Sequence, residues 1–268
     1  MASTRGLEPV VRGLGEPLLL IHGSHIRDSY IWLVNEPALS PFQTITYTRR
    51  GFSGGPPHAG PFSINEQAED AFDVLQTLGL GRAHVAGHSY GGAIALQMVL
   101  SRPERVASLI LLEPALLMVP SAPAFFEAVA PAIQRYAAGD PAGAVDLFMG
   151  LVGGPNWKSD MARRVPGGAE QAERDGTTFF GVELPALKDW RFDARLGAKI
   201  AQPVLYAVGT ESGPVFDEGF ELCRASIPQT QRLSVNGANH LLQQEPRWSV
   251  QIARGIREFL DAHPMSAS

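Results

Sequence analysis

Short, continuous apolar runs recur along this chain, separated by segments long enough to form a helix. The run at residues 17–21, Pro-Leu-Leu-Leu-Ile, has no polar position and ends at His22-Gly23. A strand in a parallel sheet is buried on both faces, so its sequence lacks the alternation of a half-exposed strand. The strands predicted in this way are residues 17–21, 42–47, 82–86, 105–112, 203–209 and 232–235.

Helical patterns separate most of these runs. Ser63 is followed three residues later by Glu66, which forms a capping-box pattern, and the apolar positions that follow share one face of a helix ending at Gly79. Further helices are predicted at residues 28–39 (with a proline interruption), 93–100, 216–227 and 248–260. Strands and helices therefore alternate, which is typical of a mostly parallel sheet covered by helices on both faces.

The alternation stops at residues 115–199. This segment is rich in Ala, Gly and Pro, contains scattered Phe and Trp, and has no convincing strand. We predict short helices there, broken at residues 153–155 and 167–168. The sequence thus predicts a core domain of residues 1–114 and 200–268 and a helical cap or lid of residues 115–199. Its aromatic rings either line a pocket or form the cap's own core, and the pattern favours neither.

A serine flanked by glycines lies between a predicted strand and a predicted helix. The residues are Gly87-His88-Ser89-Tyr90-Gly91. Gly-x-Ser-x-Gly in this context is typical of a sharp, strained turn that exposes the serine hydroxyl above the sheet. An ordinary helix N-cap is the alternative for Ser89, but it does not require glycines on both sides. We predict that Ser89 is a nucleophile.

A serine hydroxyl becomes a good nucleophile only when a base removes its proton. Among seven histidines, His240 follows a predicted strand late in the chain and precedes a helix. Where the nucleophile lies on such a strand–turn–helix, the three catalytic residues follow along the chain in the order serine, acid, histidine. Only His240 and His263 come after Ser89, and His263 lies in the C-terminal tail. His88 is next to Ser89, but on a tight turn its side chain points elsewhere. We predict that His240 is the general base.

Attack by serine on a carbonyl produces an oxyanion, which backbone N–H groups must stabilise. The residue after the nucleophile supplies one amide, here Tyr90, and a loop after an early strand supplies the other. His22-Gly23-Ser24 is such a loop, and the Ser24 amide is the second predicted donor. The same residues can also be interpreted simply as a turn. The two interpretations are compatible, because the turn is what directs the Ser24 amide towards the oxyanion.

Composition narrows the possible partners. The chain has 268 residues, 45% hydrophobic and 18% charged, as in an ordinary globular protein, and its net charge of −5 argues against nucleic acid as a partner. One cysteine cannot form an internal disulfide. We expect no secretory signal, no membrane span and a cytoplasmic location. We also expect no cofactor and no metal, because neither a Gly-x-Gly-x-x-Gly loop nor a metal-ligand cluster occurs.

Together these motifs resemble the α/β-hydrolase superfamily along nearly the whole chain. The resemblance is carried by residues 22–24, the Arg-Gly-Phe-Ser of residues 50–53, the serine turn of residues 87–92 and the loop that contains His240. It implies the α/β-hydrolase fold, a mostly parallel sheet flanked by helices with a helical cap insertion. It also implies the family's nucleophile, base and oxyanion positions at Ser89, His240, and Ser24 with Tyr90.

The sequence departs from the family at the acid of the triad. The acid commonly lies three residues beyond the glycine that here is Gly209, where this chain has Ser212. A minority of relatives, including haloalkane dehalogenases and zearalenone-type lactonases, carry a glutamate at the end of the strand after the nucleophile helix. Glu113 matches that placement and is the predicted acid. Glu211 is the alternative, in which case Glu113 is a structural carboxylate at a strand end.

These residues imply a serine hydrolase that cleaves a carboxylic ester or a lactone through an acyl-enzyme. The expected substrate is a small apolar or aromatic molecule. A dehalogenase or epoxide hydrolase would carry an aspartate nucleophile, and Ser89 speaks against both. Amide or carbon–carbon bond hydrolysis with the same triad remains open, as do a ligand-binding receptor on this fold and the choice between monomer and homodimer.

Overall fold

A single sheet organises the computed structural model, which describes residues 5–58 and 60–265. Its seven strands lie in the order β1-β3-β2-β4-β5-β6-β7, and only β1, which pairs with β3, runs antiparallel to its neighbour. The strands are β1 Pro9–Arg12, β2 Pro17–Ile21, β3 Gln43–Tyr47, β4 Ala83–His88, β5 Val106–Leu112, β6 Val204–Gly209 and β7 Thr230–Val235. The predicted mostly parallel sheet is confirmed.

The central strands are buried on both faces, as their continuous apolar sequences predict. Every residue of β2, β4, β5 and β6 is buried. Successive side chains enter different cores, so that Leu18 and Leu20 pack in one cluster and Leu19 and Ile21 in the other. The hydrophobic pattern does not predict β1, because three of its four residues are exposed and it lies at the edge of the sheet.

Helices cover both faces of the sheet. Helices α1, α2 and α10 contribute to one core cluster, and α11 contributes to the other. The predicted capping box at Ser63 and Glu66 is present at the start of α1. The helices are α1 Ile64–Thr77, α2 Tyr90–Ser101, α3 Ala122–Ala137, α4 Pro141–Gly153, α5 Trp157–Arg164, α6 Gly168–Arg174, α7 Gly176–Thr178, α8 Leu184–Asp189, α9 Ala194–Gly197, α10 Pro214–Ser226 and α11 Pro246–Ala262.

The helix predicted at residues 28–39 is wrong. Two single 3₁₀ turns occupy this segment, at Leu33–Asn35 and Pro37–Leu39. Glu36 between them is extended, with φ −70° and ψ 131°. The ring of Pro37 disfavours helical geometry at the residue before it, and Pro37 has no N–H to donate. The apolar positions are still used, because Leu33 and Leu39 are buried in the core beneath the sheet.

Helices α3 to α9 and a short helical segment between α7 and α8, here together called the inserted helices, connect β5 to β6. Most of them contribute to a third apolar cluster, which includes Trp157, Met161 and Phe179 and which also takes in Ile26 and Leu241 from the rest of the chain. Between α7 and α8 the backbone forms a π-helix, Phe179–Glu183. Such wider turns are rare and often occur at functional sites.

Close contact between α2 and the sheet depends on a glycine. A Cβ at Gly91 would lie 2.2 Å from the carbonyl oxygen of Ile21, at the end of β2. We therefore expect Gly91→Ala to push α2 away from the sheet and to lower the free energy of unfolding by about 1–3 kcal/mol, as overpacking does. Denaturant-induced unfolding measures the change.

Gly150→Ala is the matched control for Gly91→Ala. Gly150 also lies within a helix, α4, but an added Cβ would meet nothing within 4 Å. Alanine there should leave the protein as stable or stabilise it by about 0.5–1 kcal/mol, since it restricts the unfolded chain. Equal destabilisation by the two alanines would show that close packing at Gly91 is not what matters.

Candidate active site

Ser89 lies in a strained turn between β4 and α2. Its φ of 52° and ψ of −117° fall in a region that non-glycine residues rarely adopt. The turn is held by hydrogen bonds on both sides, from the Ser89 amide to the carbonyl of Leu112 (3.0 Å) and from the Ala115 amide to the carbonyl of Ser89 (2.9 Å). The Ser89 side chain makes no capping hydrogen bond to α2, so a simple N-cap role does not account for it.

The flanking glycines make this turn possible. A Cβ at Gly87 would lie 2.2 Å from the carbonyl oxygen of Gly91, and one at Gly92 would lie 2.8 Å from Cα of Pro114. Both distances are shorter than real contacts of a Cβ atom. The strand, the turn and the helix therefore approach each other as closely as a backbone permits, which leaves Ser89 at the carboxyl edge of the sheet.

His240 and Glu113 are in direct contact. The Nδ1 of His240 lies 2.7 Å from Oε2 of Glu113, whose side chain is fully buried. The other carboxylate oxygen, Oε1, accepts a hydrogen bond of 2.6 Å from the Gly209 amide at the end of β6. A carboxylate only accepts, so the proton of this contact belongs to Nδ1 of His240. The second ring nitrogen, Nε2, then carries the lone pair that a general base requires.

The imidazole of His240 is fixed from two other directions. The ring of Phe216 stacks on it, with centroids 4.3 Å apart and an angle of 12°. His88 donates from Nε2 to the carbonyl of His240 at 2.8 Å. Burial, followed by the nearby charge of His240, holds the pKa of His88 well below 6.5. His88 is therefore a neutral donor that supports the His240 loop.

Glu211, the alternative acid, is exposed. Its backbone amide donates to the carbonyl of Ala238 at 2.9 Å, which holds the loop after β6 against the loop that contains His240. Ser212, at the family's common acid position, has its hydroxyl 3.5 Å from the same carbonyl. Of the two candidate acids, the structure brings Glu113 to His240.

The predicted oxyanion loop passes directly beside Ser89. A Cβ at Gly23 would lie 3.2 Å from Cβ of Ser89 and 2.8 Å from Nδ1 of His88. Ser24 and Tyr90 both line the cavity that Ser89 and His240 also line. The hydroxyl of Ser24 donates to Oε2 of Glu183, in the π-helix, at 2.6 Å. Four of the five predicted site residues thus line one cavity, and the fifth, Glu113, contacts His240.

This cavity is small and mostly apolar. The centres of water molecules can occupy about 40 Å³ of it, which is room for only a few waters. Five of the fifteen residues that line it are phenylalanines, four of them from the inserted helices: Phe125, Phe126, Phe148, Phe179 and Phe216. Sequence reasoning did not single out Arg49 and Glu183, a buried ion pair that also belongs to this region.

Two negative findings apply to the described part of the chain. In residues 5–58 and 60–265, side chains of His, Cys, Asp and Glu form no group of three or more that could hold a metal ion. None of the helices within those residues has the length and apolar character that crossing a membrane requires.

Comparisons with known proteins agree with this geometry at the level of the fold. A family model described as the alpha/beta hydrolase fold matches residues 16–246. A putative carbamate hydrolase, RutD of Azorhizobium caulinodans, is 39% identical over 100 residues, so that the match spans only 37% of either chain. A hydrolase from Pseudomonas aeruginosa is 24% identical, with a TM-score of 0.74 over 97% of both chains. The carboxylesterase CesB of Bacillus subtilis is 22% identical, with a TM-score of 0.72 over 96% of this chain and 88% of CesB.

His25 follows the oxyanion loop and is enclosed by aromatic rings. Its centroid lies 4.5 Å from that of Phe179 and 5.2 Å from that of Phe148. Neither ring nitrogen has a hydrogen-bond partner among the described side chains and backbone groups. Burial lowers the pKa of His25 from 6.5 to about 3, and the nearby backbone of Ala172 opposes the shift only in part. His25 is therefore neutral in the folded protein.

This burial predicts a pH dependence of stability. As the pH falls below 6.5, unfolded chains bind a proton at His25, whereas the folded protein does not until the pH approaches about 3. Stability is thus lost as the pH falls from 6.5 towards 3, by up to about 1.4 kcal/mol per unit from this residue. Asparagine tolerates the positive φ of 67° at this position. We expect His25→Asn to reduce the slope of unfolding free energy against pH, measured by denaturant unfolding between pH 4 and 6.

The exposed His58 provides the control for this slope. Because this side chain is exposed and not enclosed by aromatic rings as His25 is, His58→Asn should leave the slope of the wild-type protein unchanged. A His25→Asn slope equal to that of the wild type would mean that the buried imidazole does not contribute to acid sensitivity.

Proposed function

Because this chain belongs to the alpha/beta hydrolase fold family, we propose that it hydrolyses a carboxylic ester or a lactone through an acyl-enzyme. One observation carries the proposal. His240 contacts the buried carboxylate of Glu113 at 2.7 Å and lines the same cavity as Ser89, whose turn is strained. A serine, an imidazole and a carboxylate in this relation form the nucleophile, base and orienting acid of acyl-transfer enzymes.

The proposed reaction proceeds in two halves. The Ser89 hydroxyl attacks the substrate carbonyl while Nε2 of His240 takes its proton, and the amides of Ser24 and Tyr90 stabilise the oxyanion. His240 then gives this proton to the leaving alkoxide, which departs as an alcohol and leaves Ser89 acylated. In a lactone the alcohol remains attached to the acyl group. Water, deprotonated by His240, attacks the acyl-enzyme, and the acid is released when Ser89 regains the proton.

Glu113 would stabilise the imidazolium that exists in each half-reaction. Its carboxylate is fully buried and holds the Nδ1 proton of His240. In such surroundings a fixed negative charge interacts strongly with a positive charge that develops nearby. The hydrogen bond from the Gly209 amide keeps the carboxylate in place while His240 changes its charge.

The cavity wall favours an apolar or aromatic substrate. The wall residues within the described chain include no Asp, Glu, Lys or Arg, and aromatic and aliphatic side chains dominate. A charged substrate group would lose its hydration there without gaining a partner. Because the cavity admits only a few waters, we infer that residues 115–199 act as a lid that must move for a substrate to enter.

A carbon–nitrogen bond is a second target that the comparisons favour. The relative from Azorhizobium caulinodans is named as a putative carbamate hydrolase. A carbamate also presents a carbonyl that Ser89 could attack, with an amine or an alcohol leaving. A panel of nitrophenyl esters, lactones, amides and carbamates on the purified protein distinguishes these substrates. Preference for short or charged esters would argue against an apolar acyl pocket.

Loss of Ser89 should abolish turnover. We expect Ser89→Ala to lower kcat for the best substrate of the panel by roughly 10⁴–10⁶-fold, because the nucleophile and its base act as a unit. A fluorophosphonate should label the wild-type protein at one site, as shown by intact mass and peptide mapping, and should leave Ser89→Ala unlabelled.

Ser101 is the matched control, since it lies at the other end of α2 and is exposed. Ser101→Ala should keep both the labelling and kcat. Retention of more than a tenth of the activity in Ser89→Ala would disprove the assignment. One equivalent of bound product without further turnover would instead indicate a receptor that captures its ligand.

The two candidate acids can be compared by replacing each glutamate with glutamine, which removes the charge and keeps the shape of the side chain. Glu113→Gln should lower kcat by about 10³–10⁴-fold, because the amide cannot stabilise the imidazolium and can favour the wrong tautomer of His240. Glu211→Gln should have little effect, since this side chain is exposed. Steady-state kinetics of both variants decides between them, and the reverse ranking would assign the acid to Glu211.

A further inference from the structure

A buried ion pair joins the inserted helices to the loop after β3. Nη1 of Arg49 lies 2.5 Å from Oε1 of Glu183, and the two side chains are 1% and 0% exposed. Taking two charges out of water is costly, so such a pair persists only where its geometry is good and its remaining atoms are hydrogen-bonded. The other contacts of these two side chains therefore indicate what the pair does.

Arg49 holds the loop that leads to Ser24. Its Nε donates to the carbonyl of His22 at 3.0 Å, and its Nη2 donates to the carbonyl of Gly23 at 2.9 Å. Its backbone amide donates to Nε2 of His22 at 3.1 Å. Burial, followed by the charge of Arg49, keeps the pKa of His22 well below 6.5, so the ring remains a neutral acceptor. Arg49 thus fixes both the backbone and the His22 side chain immediately before Ser24.

Glu183 holds Ser24 itself. While Oε1 pairs with Arg49, Oε2 accepts the hydrogen bond of 2.6 Å from the Ser24 hydroxyl. The cluster also reaches Tyr90, since the guanidinium of Arg49 lies 5.1 Å from the centre of its ring. Burial and then the charge of Glu183 raise the pKa of the Tyr90 hydroxyl. The Ser24 side chain therefore contacts this buried carboxylate directly, and the Tyr90 side chain lies close enough to feel its charge.

We propose that Glu183 is a positioning residue for the oxyanion hole, through which the inserted helices set the Ser24 amide in its catalytic orientation. The inference rests on the proposed function. Its basis is that one carboxylate from the inserted helices binds both the side chain of Ser24 and the arginine that clamps the loop before it. Preorganised amides are effective only when their geometry is fixed before the reaction.

This arrangement makes catalysis depend on whether the inserted helices are packed against the rest of the protein. When they rest on the sheet, Glu183 completes the cluster and Ser24 is fixed. When they lift to admit a substrate, Glu183 moves with them, and the loop is left with Arg49 alone. Closure over a substrate then assembles the oxyanion hole, so that the site is fully active only when water is excluded.

Another ion pair between the inserted helices and the core provides a matched control. Arg164, in α5, pairs with Glu245 at 2.5 Å, and the two side chains are mostly buried. The ion pairs of Arg164 with Asp160 and with Glu245 both lie outside the oxyanion loop. Glu245→Gln therefore weakens the attachment of the inserted helices without acting on Ser24.

The experiment compares Glu183→Gln with Glu245→Gln on a nitrophenyl ester. We expect Glu183→Gln to lower kcat by about 10- to 100-fold, with KM changed by no more than about 3-fold, because only the transition state carries the oxyanion. Affinity for a trifluoromethyl ketone, whose adduct with Ser89 places an oxyanion in the same hole, should fall by a similar factor. Glu245→Gln should retain the kcat and the ketone affinity of the wild-type protein.

Ser24→Ala tests the same contact without removing a buried charge. The Ser24 amide remains, but the hydroxyl that Glu183 holds is lost, so kcat should fall in the same direction. If the two residues act through one contact, the double variant should lose less than the product of the two single losses. Fluorophosphonate labelling to completion counts the folded sites in each variant. Ser24→Ala leaves the buried ion pair intact, so this single variant tests the contact even if Glu183→Gln does not fold.

Each remaining outcome has a distinct meaning. A Glu183→Gln protein with a lower melting temperature but an unchanged kcat per labelled site would show that the pair is only structural. Unchanged kcat in Ser24→Ala would equally overturn the inference. Wild-type protein that is neither labelled nor active on the substrate panel would overturn the proposed function. An active wild type, with Glu183→Gln and Ser24→Ala variants that keep its kcat, would overturn only the role of Glu183.

Discussion

Two strained turns at adjacent strand ends hold each other in place. Ser89 after β4 and Glu113 after β5 both have positive φ values, of 52° and 45°. The Ser89 amide bonds to the last residue of β5, and the backbone just beyond Glu113 bonds back to the Ser89 carbonyl. The Glu113 side chain then reaches the amide at the end of β6. Neither turn could relax without releasing the other, and the positions of the hydroxyl and the carboxylate follow from this mutual constraint.

Local patterns in the sequence predict the parts of this arrangement that depend on neighbours along the chain. The buried strands, the capping box at Ser63 and the glycine-flanked turn at Ser89 all belong to this class. The helix predicted at residues 28–39 failed at Pro37, where a backbone restriction outweighs a good apolar pattern. The pairing of Arg49 with Glu183 spans 134 positions, and no local signal connects residues so far apart.

Two buried carboxylates contact residues that line the cavity, Glu183 through Ser24 and Glu113 through His240, and their other partners differ. Glu183 faces a guanidinium, so its charge is balanced whenever the inserted helices rest on the sheet, whether or not the reaction is under way. Glu113 faces an imidazole and a backbone amide, so a full counter-charge arises only when His240 gains a proton. The first arrangement suits an anchor that holds the closed state, and the second suits the stabilisation of a charge that exists only briefly. The same residue type therefore serves opposite electrostatic purposes within one site.

The connection from β5 to β6 carries the inserted helices, while every strand that supports Ser89, Glu113 and His240 lies outside it. Such a segment is the natural place for exchange between related proteins, because a substitute of another length leaves the sheet intact. The buried Arg49 limits that freedom. A transplanted segment without an acid at the place of Glu183 would leave a guanidinium enclosed and unbalanced. Evolution or engineering of this segment must therefore treat Arg49 as part of the module, although it lies outside its boundaries.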